Sequence, residues 1–317
     1  MCNVPQPQGF LQKLEEVKVE SCYNMQVLFP IVELMSIEQE GHSRQLSLQT
    51  LKIVEIERCN NLKYIFPMFV ANSFGQLHTL KIKSCSQLEE IIQDSQVPNM
   101  RLQSLKEVKV EKCDNLKYLF RLSVDNGLRQ LHTLEIKSCL QLEDIILGLQ
   151  MPYELVLGRM TYKQLSNICK YEELEQNQTS SHHPQPVCFP NLTVIVILEC
   201  ESLKSLFPIT VAHGDPRMLN APKLQTLKIE RCFGLEEIIQ DSQISIISFQ
   251  CLREVQVTEC NNLKYLFPMS ASNNLGQLQT LKIERCFGLK EIIQDPQVSN
   301  ISFQCLREVE VTSWNNL

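Results

Sequence analysis

Residues 105–120 read LKEVKVEKCDNLKYLF, and residues 77–92 read LHTLKIKSCSQLEEII. Both fit one phrase, Leu-x-x-Φ-x-Φ-x-x-Cys-x-x-Leu, where Φ is Leu, Ile or Val. Working outward, the phrase begins at Leu14, Leu51, Leu77, Leu105, Leu131, Leu192, Leu224, Leu252, Leu278 and Leu306. The steps between these starts are 37, 26, 28, 26, 61, 32, 28, 26 and 28 residues. From Leu51 onward the two kinds of unit alternate, giving a 54-residue super-repeat. Segments 224–241 and 278–295 differ only at Glu236 versus Lys290, so the duplication is recent.

The apolar positions predict the fold. Counting the first Leu of a unit as offset 0, offsets 0, 3, 5, 8 and 11 are apolar or Cys in nearly every unit. Offsets 3 and 5 alternate as in a short strand, with the residues between them facing away. One such strand cannot bury its own apolar side, but the next unit stacked beside it does so and completes the backbone ladder. The expectation is an α/β repeat solenoid: a curved leucine-rich-repeat array with a parallel β-sheet on the concave face. Irregular or short helical turns are expected on the convex face. Pro follows Phe at Phe29, Phe66, Phe207 and Phe267, and proline ends a ladder and opens a turn, as over Pro67 to Ser73. At offset 15, Phe29, Phe66, Phe120, Phe207 and Phe267 alternate with Ile92, Ile146, Ile239 and Ile293 from Phe66 onward, a second ladder on the far wall of the core.

Nine of the fourteen cysteines stand at offset 8, from Cys22 to Cys286. They read as a column of buried thiols bonding to loop carbonyls just past the strands. A zinc site would need convergent ligands, usually in Cys-x-x-Cys pairs, and the chain has no such pair. Disulfides between neighbouring units are allowed by distance alone, but no export signal precedes the repeats, so a reducing, cytoplasmic location is expected.

Composition narrows the function. The 317 residues are 44% hydrophobic and 21% charged, as in a soluble, core-forming chain, with a net charge of -6. That balance argues against a nucleic-acid partner, which needs clustered positive charge. No apolar run reaches the roughly 18 residues of a membrane span. His78 and His132 share one repeat offset, and pairs such as Glu89-Glu90 recur with the repeat, so repetition accounts for them. No enzymatic activity, cofactor, catalytic residue or metal ligand is expected.

The phrases LKIVEIERCNNLKYIFP (51–67), LQTLKIERCFGLEEIIQD (224–241) and LREVQVTECNNLKYLFP (252–268) resemble the leucine-rich-repeat region of plant intracellular coiled-coil, nucleotide-binding, leucine-rich-repeat disease-resistance proteins. The resemblance covers about residues 10–148 and 189–317. It implies a sensor or regulatory region of plant immunity that works by protein binding. The implied partners are a pathogen effector, a guarded host protein or the receptor's nucleotide-binding domain. A generic leucine-rich scaffold, such as a ubiquitin-ligase substrate adaptor, is the alternative. The family's phosphate loop, G-x-x-x-x-G-K-[ST], does not occur in these 317 residues.

Three segments are expected: a first block of repeats at 1–148, an insert at 149–188, and a second block at 189–317 that ends without a cap. An uncapped end makes the chain read as a fragment or as one that abuts another protein. Within the insert, Tyr162 to Gln176 reads as helical and Glu175 to Pro186 as mobile; His182 and His183 read as a solvated pair.

The outward strand residues form the candidate protein-binding surface: Lys109, Glu135, Val194, Val196, Leu198, Lys228, Gln256 and Lys282 on the concave face. Nine units are mainly polar there. The unit at Leu192 instead offers Val194, Val196 and Leu198 in succession, an apolar patch of the kind that marks a contact site. Three arrangements follow: the insert covers the patch as a lid, the patch stays open to a partner, or a frame change turns these residues inward.

Overall fold

The computed structural model describes residues 11, 13–29, 48–66, 75–93, 102–122, 128–148, 187–207, 217–239, 244–294 and 303–313. Offsets 2–6 of every unit form a five-residue strand. In order these are Glu16–Glu20, Ile53–Glu57, Thr79–Lys83, Glu107–Glu111, Thr133–Lys137, Val194–Leu198, Thr226–Glu230, Glu254–Thr258, Thr280–Glu284 and Glu308–Thr312. They make one ten-stranded sheet in strict sequence order. Every pairing is parallel and aligns the same offset of each unit, as in Val108↔Leu134 and Val110↔Ile136. Offsets 3 and 5 are buried in the eight inner strands, as the alternation requires, with Val54, Val108, Val255 and Ile283 fully inaccessible.

The 61-residue step leaves no gap in this ladder. Thr133–Lys137 pairs directly with Val194–Leu198. The junction is closed by Thr193 N–H on the His132 carbonyl at 2.9 Å and Ser138 N–H on the Leu198 carbonyl at 2.9 Å. Beneath it, Phe120, Leu134, Phe189, Ile195 and Phe207 leave an apolar void of about 10 Å³ whose lining offers a water no polar partners. Of the insert expected at 149–188, residues 149–186, with the expected helical and mobile parts and His182 and His183, lie outside the described residues, as do Pro67 to Ser73.

The far wall is more regular than short turns. Tyr118–Leu122, Asp144–Gly148, Ser205–Phe207, Glu237–Ile239, Tyr265–Phe267 and Glu291–Ile293 form a six-stranded parallel sheet, and Tyr64–Phe66 pairs with Glu90–Ile92. Phe stands opposite Ile in each of these registers: Phe66↔Ile92, Phe120↔Ile146, Phe207↔Ile239 and Phe267↔Ile293. A bulky ring thus meets a medium side chain at each rung, which fills the wall without steric conflict. A further parallel sheet is made by Val187–Cys188, Arg217–Asn220 and Ile244–Ser248. The expected helical turn after a Phe-Pro pair is present once among the described residues, as a 3-10 turn at Met269–Asn274 behind Pro268.

Two features of the repeat lay outside the sequence pattern. The first is an apolar rung at offset -3, held by Leu48, Leu102, Leu128, Phe189, Ala221, Phe249 and Leu275, all buried. Its carbonyl accepts the offset-0 amide and closes a tight turn into each strand, as in Leu51 N–H on Leu48 at 3.0 Å. The second is a residue of left-handed conformation at offset 7, just after each strand. Ser21, Arg58, Ser84, Lys112, Ser138, Glu199, Arg231, Glu259, Arg285 and Ser313 all have φ between 52° and 57°. None is β-branched, which that conformation disfavours. Each costs about 1 kcal/mol, and the stack of identical turns holds it in place.

Where Gly follows Cys-Phe, the chain passes very close to the unit before. A Cβ at Gly234 would lie 2.3 Å from the Glu201 carbonyl oxygen, and one at Gly288 2.0 Å from that of Asn261. Only glycine allows this approach.

Candidate functional site

The thiol column is structural. Cys59, Cys85, Cys113, Cys139, Cys200, Cys232, Cys260 and Cys286 are fully buried and free, whereas Cys22 in the first unit is exposed. Each Sγ donates to the carbonyl two residues earlier, at 3.5 Å for Cys59 and 3.4 Å for Cys286. That acceptor is the last residue of the strand and not the loop expected from the sequence. The reason lies in the accounting of lone pairs. The same carbonyl already accepts the left-handed amide of the preceding unit, as when Lys83 takes Arg58 N–H at 2.9 Å, and the thiol uses its second lone pair. Contact with neighbouring thiols, and burial, raise Cys113 and Cys200 well above the usual thiol range, so both are protonated at neutral pH. Among the described residues no cluster of three or more His, Cys, Asp or Glu could hold a metal. We expect the eight buried thiols to resist a maleimide in native protein while Cys22 reacts. Peptide mass mapping before and after denaturation would show this, and native labelling of Cys113 or Cys260 would contradict it.

The outward face carries a continuous chain of ion pairs over its first five strands. Lys18 meets Glu55 at 3.4 Å, Glu55 meets Lys81 at 3.2 Å, and Lys81 meets Glu107 at 3.6 Å. Glu107 then meets Lys109 at 2.9 Å, Lys109 meets Glu135 at 3.6 Å, and Glu135 is in contact with Lys137. Lys18, Glu55, Lys81, Lys109, Glu135 and Lys137 line a groove of about 490 Å³. The Lys81 ammonium holds the Glu55 carboxyl below its ordinary range, Lys137 does the same for Glu135, and Glu107 raises Lys109. Exposed pairs of this kind add little to stability, since each must order two long side chains.

The chain of pairs stops at the sixth strand. There Ile195 and Ile197 are buried, 1% and 0% exposed, and Val194, Val196 and Leu198 face outward, half-buried. The inward frame change is therefore excluded. Val196 stands between Glu135 and Lys228 in register, so an aliphatic side chain occupies the rung where a charge would link them. Beyond it the pairing resumes in pieces: Lys228 with Glu230 at 3.9 Å, Gln256 Nε2 on Glu254 at 2.9 Å, and Lys282 with Glu308 at 3.1 Å. All eight candidate residues thus lie on one sheet face, at offset 4 or flanking it. The insert that would form a lid lies outside the described residues.

Offset 7 does not extend this face as a sixth strand position. The left-handed turn ends the strand there, and its charged side chains form a row of their own. Arg231 bridges Glu199 at 3.0 Å and Glu259 at 3.2 Å, and Arg285 meets Glu259 at 2.9 Å. Asn191, in a glycosylation-like triplet, uses its side-chain amide on the Arg129 carbonyl at 3.0 Å and accepts from Lys223 at 2.8 Å.

No helix among the described residues is long and apolar enough to cross a membrane. The Arabidopsis thaliana protein named "Putative disease resistance protein At4g10780" is 26% identical over 159 residues, covering 46% of this chain and 17% of that relative. The chain therefore corresponds to less than a fifth of that protein's length. The family model for plant disease resistance protein RPS2-like leucine-rich repeats matches residues 31–86, 86–140 and 214–287, more than half of the chain. Together with the ten-rung parallel solenoid, that match places the chain in the RPS2-like leucine-rich-repeat family of plant disease resistance proteins.

Proposed function

We propose that this chain is a non-catalytic recognition module of a cytoplasmic plant immune receptor, binding a protein through the outward face of its ten-stranded sheet. The observation that carries the reading is the sixth strand. Val194, Val196 and Leu198 form a compact aliphatic patch in a surface that is polar and largely ion-paired elsewhere, with Ile53 the main exception. A patch of this kind, rimmed by polar groups, is how contact sites are built: apolar anchors give affinity, and fixed charges around them select the partner. In this reading Lys109, Glu135, Lys228, Gln256 and Lys282 form the rim. Residues 1–148 and 189–317 act as one recognition array, and 149–188 is an insert in that array. The partner is a pathogen effector, a guarded host protein or the receptor's own nucleotide-binding domain.

The test is a photo-crosslinking residue at position 196, in a receptor carrying this chain and expressed in plant leaf tissue. A discrete protein adduct is expected. V196D/L198D should abolish the adduct seen from a crosslinker at position 256 and alter the defence response, while circular dichroism of the purified chain stays unchanged. An adduct that survives the double substitution would overturn the reading.

A further inference from the structure

The edge of the solenoid where the chain enters each strand has its own charge. Three positions build it: offsets -2, -1 and 1 of each unit. The offset-1 residues are stacked by a backbone ladder of their own. His78 N–H donates to the Lys52 carbonyl at 2.9 Å, Lys106 N–H to His78 at 2.8 Å, and His132 N–H to Lys106 at 2.8 Å. Successive side chains of this column are therefore about one strand spacing, ~4.8 Å, apart. Lys52, His78 and Lys106, together with Arg129 at offset -2, line an open depression of about 580 Å³. The remaining lining side chains are uncharged and include Gln76, Gln103 and Gln130. Glu15 is the one acid among the described residues at these three offsets; it pairs with Lys52 at 3.0 Å, and Lys106 and Arg129 have no ion pair among the described residues. An edge without other carboxylates, in a chain whose net charge is -6, is a concentration of positive charge against the overall balance.

We propose that this edge is a second docking surface, separate from the sheet face, and that it takes an acidic protein segment, a run of Asp or Glu. Charge complementarity selects the occupant. Lys52 and Lys106 stand two rungs apart in one column, ~9.6 Å or about three residues of an extended segment, with Arg129 beside them, and the glutamines of the same depression supply amide donors that suit carboxylates. A compact phosphate fits less well. It would need convergent backbone amides, and those of Lys52, His78 and Lys106 are already spent in the ladder.

The experiment uses the full 317-residue chain and a fluorescein-labelled decaglutamate peptide, read by fluorescence anisotropy. Saturable binding at low salt is expected, weakening as ionic strength rises. K106E/R129E should reduce affinity by about tenfold or more, and K106Q/R129Q by less. The charge-matched control K117E/K204E, away from this edge, should change it little. Circular dichroism of each variant checks the fold; all four substituted side chains are exposed. Absence of saturable binding, or equal losses from the edge and control variants, would overturn the proposal. Tighter binding of a single-stranded oligonucleotide of equal charge would also overturn it, in favour of a phosphate-binding edge.

Discussion

Ile197→Asp is expected to break the solenoid at its middle, and Val196→Asp is expected to leave it folded. The two residues are neighbours on one strand, and only the pleat distinguishes them. Ile197 is 0% exposed and packs under both adjoining strands. A carboxylate there has no counter-ion on the buried side and must be protonated or left unpaired, at a cost above about 3 kcal/mol. Because each repeat is stabilised mainly by its neighbours, that loss falls on the rung that joins the two blocks. Urea unfolding followed by circular dichroism should then show two transitions in place of one. Val196→Asp places its charge on the outer face between Lys228, which attracts it, and Glu135, which repels it, and should change stability by less than about 1 kcal/mol. Equal losses from both substitutions would mean that the outer face is packed as tightly as the core, and the docking surface proposed above would fail.

Phe267→Ala is expected to cost roughly 3–5 kcal/mol. The ring is fully buried, stands opposite Ile293 on the far wall and meets Phe249 edge-on at 6.2 Å. Phe249 is at offset -3 and Phe267 at offset 15 of the same unit, so the pair spans the width of the core and truncation opens a cavity that two elements must collapse to fill. Phe287→Ala provides the contrast. That ring is 49% exposed at the turn after Cys286, and its removal should cost less than about 1 kcal/mol. Denaturant midpoints at constant slope separate the two; a similar loss at both positions would contradict the burial assigned here.

The repeat phrase made much of this legible in advance. Leu at offset 0, branched residues at 3 and 5, and Cys at 8 predict the sheet and its parallel register, because identical units can only stack with like positions aligned. The Phe and Ile of offset 15 likewise predict the second ladder. The candidate surface was legible to the same degree: at Val194, Val196 and Leu198 the alternation itself states which side chains face out. The offset -3 rung recurs in every unit, from Leu11 to Phe303, but its identity wanders from Leu to Phe to Ala and it lies outside the phrase that begins at offset 0. The left-handed residue after each strand did leave a trace. No β-branched side chain occupies offset 7 in any unit, though Val, Ile and Thr fill the strand beside it. The basic edge was also written in the sequence, but it is spread over offsets -2, -1 and 1, which become one surface only after the turn at offset -3 folds them together.

By itself, then, the sequence determined the solenoid, its parallel ladder and which strand residues face outward, since a short alternating strand repeated ten times has one way to bury its apolar side. Only the tertiary structure decided what depends on neighbours distant in the chain. The ladder crosses a 61-residue step without a break, because the strands at Thr133 and Val194 carry matching apolar faces and pair regardless of what lies between them. The thiols bond to strand carbonyls, because the stacked unit leaves one lone pair there unused. The ion pairs run along the first five strands and stop at Val196, because each pair needs a charge on the adjacent rung, and adjacency between rungs is a property of the stack.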